Sequence, residues 1–275
     1  MTKITAVVIL YYPSSDVINN IHSYIKDIKI LYVVCNSFIE NSIYSKLLKI
    51  KNIKIIHKNS NIGIAKAINL ALKNSFKENN KWLMTLDQDS SFNTNDFKTF
   101  INSFYKIKNK KNLAIFTPIH NKKFIKNSIE EKIFVMTSAN IVNVDIALKI
   151  GGYDENIFID EVDHEFCLKI KKKNFIIIQN NAIAINHILG TKIKKNQKKI
   201  VLYHSIRLYY MSRNYLYIKN IYKDTYPSFF KQRNKYLFIF FLKQIYYGKN
   251  KMKNIEMILK GIVDYKNKIY GKINE

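Results

Sequence analysis

The feature that most constrains the fold is a series of short, almost unbroken apolar runs, each of which ends at polar residues. The first is Ile4 to Tyr12, and Ile30 to Cys35, Ile53 to His57 and Trp82 to Leu86 follow it along the chain. Runs of this length that are rich in β-branched residues are typical of strands buried on both faces of a parallel sheet. Helical periodicity between them, clearest in Ile62 to Phe76, predicts an α/β fold.

The same pattern continues to about residue 190 and then changes. It predicts further strands at Asn112 to Pro118, Lys132 to Met136, Phe175 to Ile178 and Ala182 to His187, and helices at Val17 to Ile28, Asp145 to Ile150 and Asp160 to Lys172. Residues 191–275 are rich in Tyr and mostly helical in pattern. They hold 20 Lys and Arg against 4 Asp and Glu. We therefore expect a sheet domain at 1–190 and a basic, aromatic helical region at 191–275.

The charge balance favours an anionic partner. The chain has 46 Lys and Arg against 20 Asp and Glu, a formal net charge of +26. This suits a nucleotide, a nucleic acid or a phospholipid surface, although Lys, Ile and Asn dominate throughout, which an AT-rich genome also produces. Two cysteines, Cys35 and Cys167, do not make a disulfide framework and favour a reducing cytosol. The apolar runs are too short to cross a membrane.

Polar clusters follow three of the predicted strands: Tyr12-Pro13, Asn36-Ser37 and Asp87-Gln88-Asp89. In open α/β sheets ligands bind beyond the carboxyl ends of the strands, so these clusters are expected to line one crevice. Asp87 and Asp89 are two residues apart, which places both carboxylates on one side of an extended chain. Two such carboxylates suit Mg²⁺ or Mn²⁺, and a solvated turn is the alternative interpretation.

Asn59 to Gly63 precedes the helix that contains Asn69. The free N–H groups at the start of this helix suit a phosphate or a sugar, and an ordinary capped helix is the alternative. His187 ends a predicted strand and becomes a third metal ligand if it meets the two aspartates; otherwise it is structural. Arg207 and Arg213 lie on one predicted helix, where they either clamp a diphosphate or lipid phosphate or form a solvated face.

An acidic segment stands out on this basic chain, because Asp160, Glu161, Asp163 and Glu165 fall within six residues. With about 100° per residue, an ideal helix over 159–170 collects one apolar stripe: Ile159, Val162, Phe166 and Ile170. Asp163 lies closest to the centre of that stripe, Asp160 and Glu165 lie farther round, and Glu161 is nearly opposite. Asp163 is therefore expected to be the most desolvated carboxylate and a candidate general base, unless the segment is a solvated helix start.

Taken in order, the motifs resemble those of the family 2 glycosyltransferases with the GT-A fold, and in particular the bacterial rhamnosyltransferases. The resemblance covers about residues 4–215. It rests on Tyr12-Pro13, Val34 to Ser37, Asn61 to Asn69, Leu86 to Ser90, Met136 to Asn140, Gly151 to Glu155, Phe158 to Lys169, His187 to Gly190 and Arg207 to Asn214.

The resemblance implies a GT-A (Rossmann-like) mixed sheet with helices on both faces and a C-terminal helical extension. It implies an inverting glycosyltransferase that uses a nucleotide sugar, dTDP-L-rhamnose, with Asp87 and Asp89 in the metal motif and Asp163 as the base. The implied donor site is Tyr12, Pro13, Asn36, Asn61, Gly63, Asn69, Asp87 and Gln88. We expect an acceptor site at Ser138, Asp160 and Glu165. The metal role of His187 and the phosphate role of Arg207 and Arg213 remain the predictions made above, each beside its structural alternative.

Three positions depart from the pattern of the family. Cys35 stands where an Asp usually reads the pyrimidine ring, Ala139 replaces a usual Gly, and Lys169 replaces a usual Arg. Rival interpretations are a metal-dependent nucleotidyltransferase or phosphohydrolase on a similar sheet, a nucleic-acid binder, and a family member that binds donor without turnover. We expect no nucleic-acid partner.

The C-terminal region also suggests a membrane partner. Tyr236 to Tyr247 is apolar and aromatic with Lys on both sides. It suits either an anionic inner-membrane surface carrying a lipid-linked acceptor, or packing against the rest of the protein. The sequence therefore predicts a cytoplasmic enzyme, with a peripheral membrane location as one of two options.

Overall fold

The computed structural model describes residues 4–57, 59–93, 95–120, 126–186, 191–195 and 198–273, with residues 191–195 and 198–199 described by their backbone. The strands are β1 Ile4–Leu10, β2 Ile28–Cys35, β3 Ile53–His57, β4 Trp82–Asp87, β5 Leu113–Ile119, β6 Ile129–Glu131, β7 Asn140–Asn143, β8 Ile176–Ala184, β9 Thr191–Lys195 and β10 Lys198–Leu202. The helices are α1 Asp16–His22, α2 Asn41–Leu48, α3 Ile64–Lys77, α4 Asp96–Tyr105, α5 Val144–Lys149, α6 Val162–Lys172, α7 Ser205–Tyr222, α8 Pro227–Tyr247 and α9 Lys251–Lys266.

Within the described residues, eight strands form one mixed sheet in the order β3-β2-β1-β4-β7-β5-β8-β6. Strand β1 is parallel to β2 and to β4, and β2 is parallel to β3. Strand β7 is antiparallel to both of its neighbours, β4 and β5. Alternate residues of β1 face opposite layers, as the pleat requires. Val8 and Leu10 belong to the core formed with α1, α2 and α4, whereas Thr5 hydrogen-bonds Ser75 of α3 at 2.9 Å. The α/β prediction with helices on both faces is confirmed.

Several predicted elements have other bounds. Lys132 to Met136 is not a strand; the strands nearest to it are β6 and β7, and β7 was not predicted. The two strands predicted between Phe175 and His187 form one strand, β8, as far as Ala184. Val17 to Ile28 divides into α1, a short 3₁₀ turn at Ile25–Asp27 and the start of β2. A β9–β10 hairpin precedes the helices of the C-terminal region, where sequence periodicity indicated helix alone.

The predicted helix from Asp160 begins two residues later, at Val162. Asp160 and Glu161 both have left-handed backbones, with φ of 59° and 62°, which an α-helix excludes. The helical wheel drawn through them is therefore wrong at its start. Its ranking of the acids is also wrong, because Glu161 and Glu165 are buried whereas the Asp163 side chain is 28% exposed.

The chain divides into two structural units. One is Met1–Asp154 with Asp163–Ile188 and contains the large sheet; the other is Glu155–Val162 with Leu189–Glu275. Glu155–Val162, which lies inside the predicted 1–190 domain, thus belongs to the unit of the C-terminal helices. In that helical unit α9 approaches α7 closely at Gly261, where an added Cβ would come 2.5 Å from the Tyr209 carbonyl oxygen. Among the described residues, no helix combines the length and apolar character that crossing a bilayer needs.

Candidate active site

Hydrogen bonds join the loop that follows β1 to the loops that follow β2 and β4. The Tyr11 N–H donates to Gln88 Oε1 at 2.8 Å, and Gln88 Nε2 donates back to the Tyr11 carbonyl at 3.1 Å. The Tyr12 N–H donates to Ser37 Oγ at 2.7 Å. Tyr12 is among the exposed large side chains and has φ of 43°. The sheet thus brings together the predicted positions Tyr12, Gln88 and Ser37 at one edge of the first unit.

Asn36 extends this edge to the start of α3. Its side chain donates from Nδ2 to the Gly63 carbonyl at 3.3 Å and accepts from the Ile62 N–H at 3.4 Å. Asn61 in turn accepts from the Gly63 N–H at 3.0 Å. Gly63 has φ of 80°, a left-handed conformation that favours glycine. The side chain of Asn36 therefore fixes the loop that begins α3, and Cys35 beside it is buried in the core under the sheet.

Asp87 and Asp89 lie in a turn at the carboxyl end of β4. Asp87 is the last residue of the strand, and the Ser90 N–H donates to its carbonyl at 3.1 Å. The buried Ser138 supports this turn, because its Oγ accepts from the Asp87 N–H at 3.2 Å and lies 2.6 Å from Ser90 Oγ. Ser138 thus supports the turn that contains Asp87 and Asp89, and its place in the acceptor site stays a prediction.

Two carboxylates in one turn form a donor set that fits Mg²⁺ or Mn²⁺, because these hard ions take few protein oxygens and complete their shell with phosphate and water. Over the part of the chain that the structure describes, no group of three or more His, Cys, Asp or Glu is arranged to hold a metal ion by itself. The predicted third ligand, His187, lies outside the described residues. Its neighbour Asn186 pairs with Ser91, two residues beyond Asp89, through hydrogen bonds of 2.9 and 3.1 Å.

A cavity of about 280 Å³ lies next to Ser138 in the same unit. His120 connects Ser138 to this cavity. Its Nε2 lies 2.9 Å from the Ser138 carbonyl oxygen, and the residue lines the cavity. Asp163 lines it as well. A continuous set of contacts therefore runs from the Asp87 turn through Ser138 and His120 to the cavity that holds the candidate base.

The Asp163 carboxylate is fixed by the residue that follows it. Asp163 Oδ1 accepts from the His164 N–H at 2.9 Å and lies 3.3 Å from His164 Nδ1. The His164 ring contacts the half-exposed Phe134 ring, with centroids 5.3 Å apart. The rest of the wall includes Ile119, Val135, Met136 and Gln179. The cavity thus combines one carboxylate and two imidazoles with an aromatic and aliphatic wall, which suits a sugar ring with both polar and apolar faces.

Glu165 lies on the buried side of α6. Its side chain is 2% exposed and forms an ion pair with Lys169 at 3.1 Å, and Lys169 Nζ also donates to the Gly152 carbonyl at 2.9 Å. Asn69 fixes the same Gly152–Tyr153 segment from α3, because its amide exchanges two 2.8 Å hydrogen bonds with the Tyr153 backbone. The structure thus gives Glu165 and Asn69 positioning contacts inside the protein, and their predicted ligand contacts stay predictions.

The buried groups under α6 are not proton donors at neutral pH. Burial raises the pKa of Tyr153 far above its usual range, and the nearby carboxylates of Asp163 and Glu165 add to this shift. Burial likewise raises the pKa of the Cys167 thiol well above 9, and the thiol donates to the Val135 carbonyl at 3.7 Å. Asp163 and the two imidazoles are therefore the groups of this region with the chemistry for proton transfer.

In the helical unit, two arginines hold the left-handed pair that precedes α6. Arg207 binds both carboxylate oxygens of Asp160, and Arg233 forms an ion pair with the buried Glu161. Arg213 is completely buried, with hydrogen bonds to Asn214 Oδ1 at 3.0 Å and to the Tyr209 hydroxyl at 3.1 Å. The structure thus gives Arg213 a packing role and Arg207 a carboxylate partner, and phosphate binding by either stays a prediction.

Sequence reasoning missed His120, Phe134, His164 and Gln179 as cavity residues. His120 directly follows β5, so the strand-end rule that selected Asp87 would also have selected it. Phe134 lies in a segment that was assigned to a strand, and Gln179 lies inside β8. His164 was passed over in favour of its acidic neighbours.

Known proteins resemble this chain in fold and in sequence. Two solved structures share the fold: the crystal structure of GalNAc-T7 with UDP, GalNAc and Mn²⁺ matches with a TM-score of 0.61 at 11% identity, covering 97% of this chain and 57% of that one. S. aureus TarS matches with a TM-score of 0.52 at 15% identity, covering 68% of this chain and 37% of that one. The fold is therefore that of a GT-A glycosyltransferase, as predicted.

The sequence comparison points to the same kind of enzyme. Residues 17–140 match the model of Glycosyl transferase family 2, and this match confirms the predicted resemblance and the predicted enzyme class, a glycosyltransferase. A curated relative, dTDP-rhamnosyl transferase RfbF of Shigella flexneri, is 27% identical over 235 residues, which cover 78% of this chain and 78% of the relative. The resemblance to rhamnosyltransferases therefore extends over most of both chains.

Proposed function

We propose that the protein is an inverting glycosyltransferase that moves L-rhamnose from dTDP-L-rhamnose to a hydroxyl group of a saccharide or lipid-linked acceptor. The donor is supported by the relative from Shigella flexneri, whose match spans 78% of both chains. We assign the product to a surface polysaccharide or lipopolysaccharide. The protein works in the cytoplasm, at the inner face of the cytoplasmic membrane.

The observation that carries the reaction is the position of Asp163 in the wall of the 280 Å³ cavity. Its carboxylate removes the proton from the acceptor hydroxyl as the oxygen attacks the anomeric carbon from the side opposite the leaving diphosphate. His164 holds the Asp163 carboxylate through its N–H, and Phe134 offers an apolar surface to the acceptor ring. A positioned general base raises a reaction rate by a factor of roughly 10²–10⁴. The larger contribution of the enzyme is to align the two reactants.

Asp87 and Asp89 are the residues that would hold a divalent cation, Mg²⁺ or Mn²⁺. Such an ion, when bound, supplies positive charge to the leaving diphosphate. Gln88 between them ties the turn to Tyr11, so the loop after β1 and the metal motif form one surface for the donor. We assign Tyr12, Pro13, Asn36, Asn61 and Gly63 to the same donor surface.

The test of the base is Asp163→Asn, with Asp145→Asn as the matched control. Asp145 is exposed in the first turn of α5 and has no place in the proposed site. We expect Asp163→Asn to lower turnover at least about 100-fold while dTDP-L-rhamnose still binds, and the control to retain full activity. Normal turnover by Asp163→Asn would exclude the base assignment.

The donor and the cation are tested by calorimetry with a panel of dTDP and UDP sugars, with and without Mn²⁺. We expect dTDP-L-rhamnose to bind most tightly, and Asp89→Ala to remove the dependence of this binding on Mn²⁺. Tighter binding of a UDP sugar would exclude the rhamnosyl assignment while leaving the transferase class in place. Turnover of a sugar 1-phosphate with a nucleoside triphosphate would instead indicate a nucleotidyltransferase.

A further inference from the structure

Helix α8 presents an apolar face that is exposed among the residues that the structure describes. Its buried residues, Phe230, Leu237 and Gln244, recur every seven positions and form one inward seam. The opposite side carries four exposed apolar or aromatic residues, here called the α8 strip: Phe238, Ile239, Leu242 and Tyr246. Their exposed fractions are 66%, 42%, 50% and 66%. At about 100° per residue these four side chains fall within roughly one third of the helix circumference.

The strip borders a shallow groove of about 530 Å³. Its lining includes the apolar or aromatic residues Ile239, Leu242 and Tyr246 together with Lys243 and Lys251. Lys251 Nζ lies 5.8 Å from the centre of the Tyr246 ring. An apolar groove bordered by ammonium groups matches a molecule that has an acyl chain and an anionic headgroup.

The charge along α8 and at the start of α9 is predominantly positive, although Glu256 of α9 forms an ion pair with Lys253 at 2.8 Å. Residues 227–255 contain seven Lys and Arg and no Asp or Glu. On the helix, Lys235 falls within the angular range of the strip, so basic and apolar groups share one face. A second copy of this chain would bring a like-charged face against it, since each chain carries +26. An anionic bilayer complements both the charge and the apolar strip.

We propose that the α8 strip and its flanking lysines dock the protein on the surface of an anionic phospholipid bilayer. Phe238, Leu242 and Tyr246 enter the boundary between headgroups and acyl chains, and Lys235, Lys243 and Lys251 contact lipid phosphates. The proposal specifies the membrane part of the proposed function. It is independent of the transfer chemistry, because vesicle binding and turnover of a soluble acceptor are measured separately.

The experiment is flotation of the full chain with vesicles of phosphatidylcholine mixed with phosphatidylglycerol, and with vesicles of phosphatidylcholine alone. We expect binding to the anionic vesicles that is at least tenfold stronger than to the neutral ones and that weakens at high salt. Phe238→Ser with Leu242→Ser is expected to reduce binding about tenfold or more, because less apolar surface enters the bilayer. Lys235→Gln with Lys243→Gln is expected to reduce it about fivefold per lysine.

The matched control is Leu48→Ser with Phe76→Ser, which removes two comparably exposed apolar side chains from α2 and α3 of the other unit. We expect this control to bind as the unchanged chain does, and thermal unfolding to show that all variants fold. Failure of the unchanged chain to bind anionic vesicles at low salt would overturn the proposal. So would undiminished binding of the Phe238→Ser and Leu242→Ser variant, or a dimer in solution that this variant abolishes.

Discussion

Asn69 provides the sharpest test of what the structure adds to the sequence. The resemblance implies a donor contact for this residue, but the structure shows its amide bonded to both the N–H and the carbonyl of Tyr153, each at 2.8 Å. Both residues are buried. Asn69→Ala removes these two hydrogen bonds and leaves the backbone groups of Tyr153 without those partners. At about 1–3 kcal/mol for each of the two buried polar groups that lose a partner, we expect the free energy of unfolding to fall by about 2–6 kcal/mol.

The assay is thermal and urea unfolding, accompanied by calorimetry with dTDP-L-rhamnose. A loss of about 3 kcal/mol corresponds to a decrease in Tm of roughly 6–12 °C for a chain of this size. Asn74→Ala on the same helix is the control, because Asn74 donates a local hydrogen bond to the Leu70 carbonyl, and its replacement is expected to cost less than about 0.5 kcal/mol. An unchanged Tm together with lost donor affinity in Asn69→Ala would refute the positioning role.

Three further predictions concern buried groups. Arg213→Met should lower the Tm, because the buried Tyr209 hydroxyl and Asn214 amide lose a charged partner; loss of donor binding at unchanged Tm would instead support a phosphate contact. Arg233→Met should destabilise the protein by about 3–5 kcal/mol in urea unfolding, because it leaves the Glu161 carboxylate buried without this ion pair, and a change below about 1 kcal/mol would contradict this. Burial raises the pKa of the Cys167 thiol, so the folded protein should hold little reactive thiolate at this position. Iodoacetamide at pH 8.5, roughly the usual pKa of a thiol, should therefore label Cys167 only after unfolding. Rapid labelling of the folded chain would contradict this prediction.

Local pattern was sufficient for the parallel strands β1 to β4 and for the loops that meet at their carboxyl ends. The run Ile4 to Leu10 is buried at every position, as an unbroken apolar strand in a parallel sheet requires. The strand-end rule correctly anticipated that Tyr12, Ser37 and Gln88 lie at one edge, because the carboxyl ends of parallel strands share an edge whatever the loops contain. It could not anticipate the pairing of Gln88 with the Tyr11 backbone, which depends on loop conformation.

Local sequence pattern gave a wrong prediction where contacts with distant residues determine the backbone conformation. The helical wheel over 159–170 assumed regular α geometry, but Asp160 and Glu161 adopt left-handed conformations and bind Arg207 and Arg233, 47 and 72 residues away in sequence. Such conformations are unfavourable for residues other than glycine and persist where surrounding contacts hold them. No periodicity within the segment reports those contacts, so the order of burial among its acids was predicted wrongly.

The sequence by itself determined that the chain begins with parallel strands of an α/β sheet, that acids stand at the end of β4, and that a basic helical region follows the sheet. These properties follow from hydrophobic period and strand ends, which are local. Only the tertiary structure decided that Asp163 lines a cavity with His120 and Phe134, that Asn69 and Arg213 are enclosed by protein, and that α8 leaves an apolar strip exposed. Each of these depends on which distant side chains fill a space, and burial is a property of the packed molecule that no stretch of sequence carries alone.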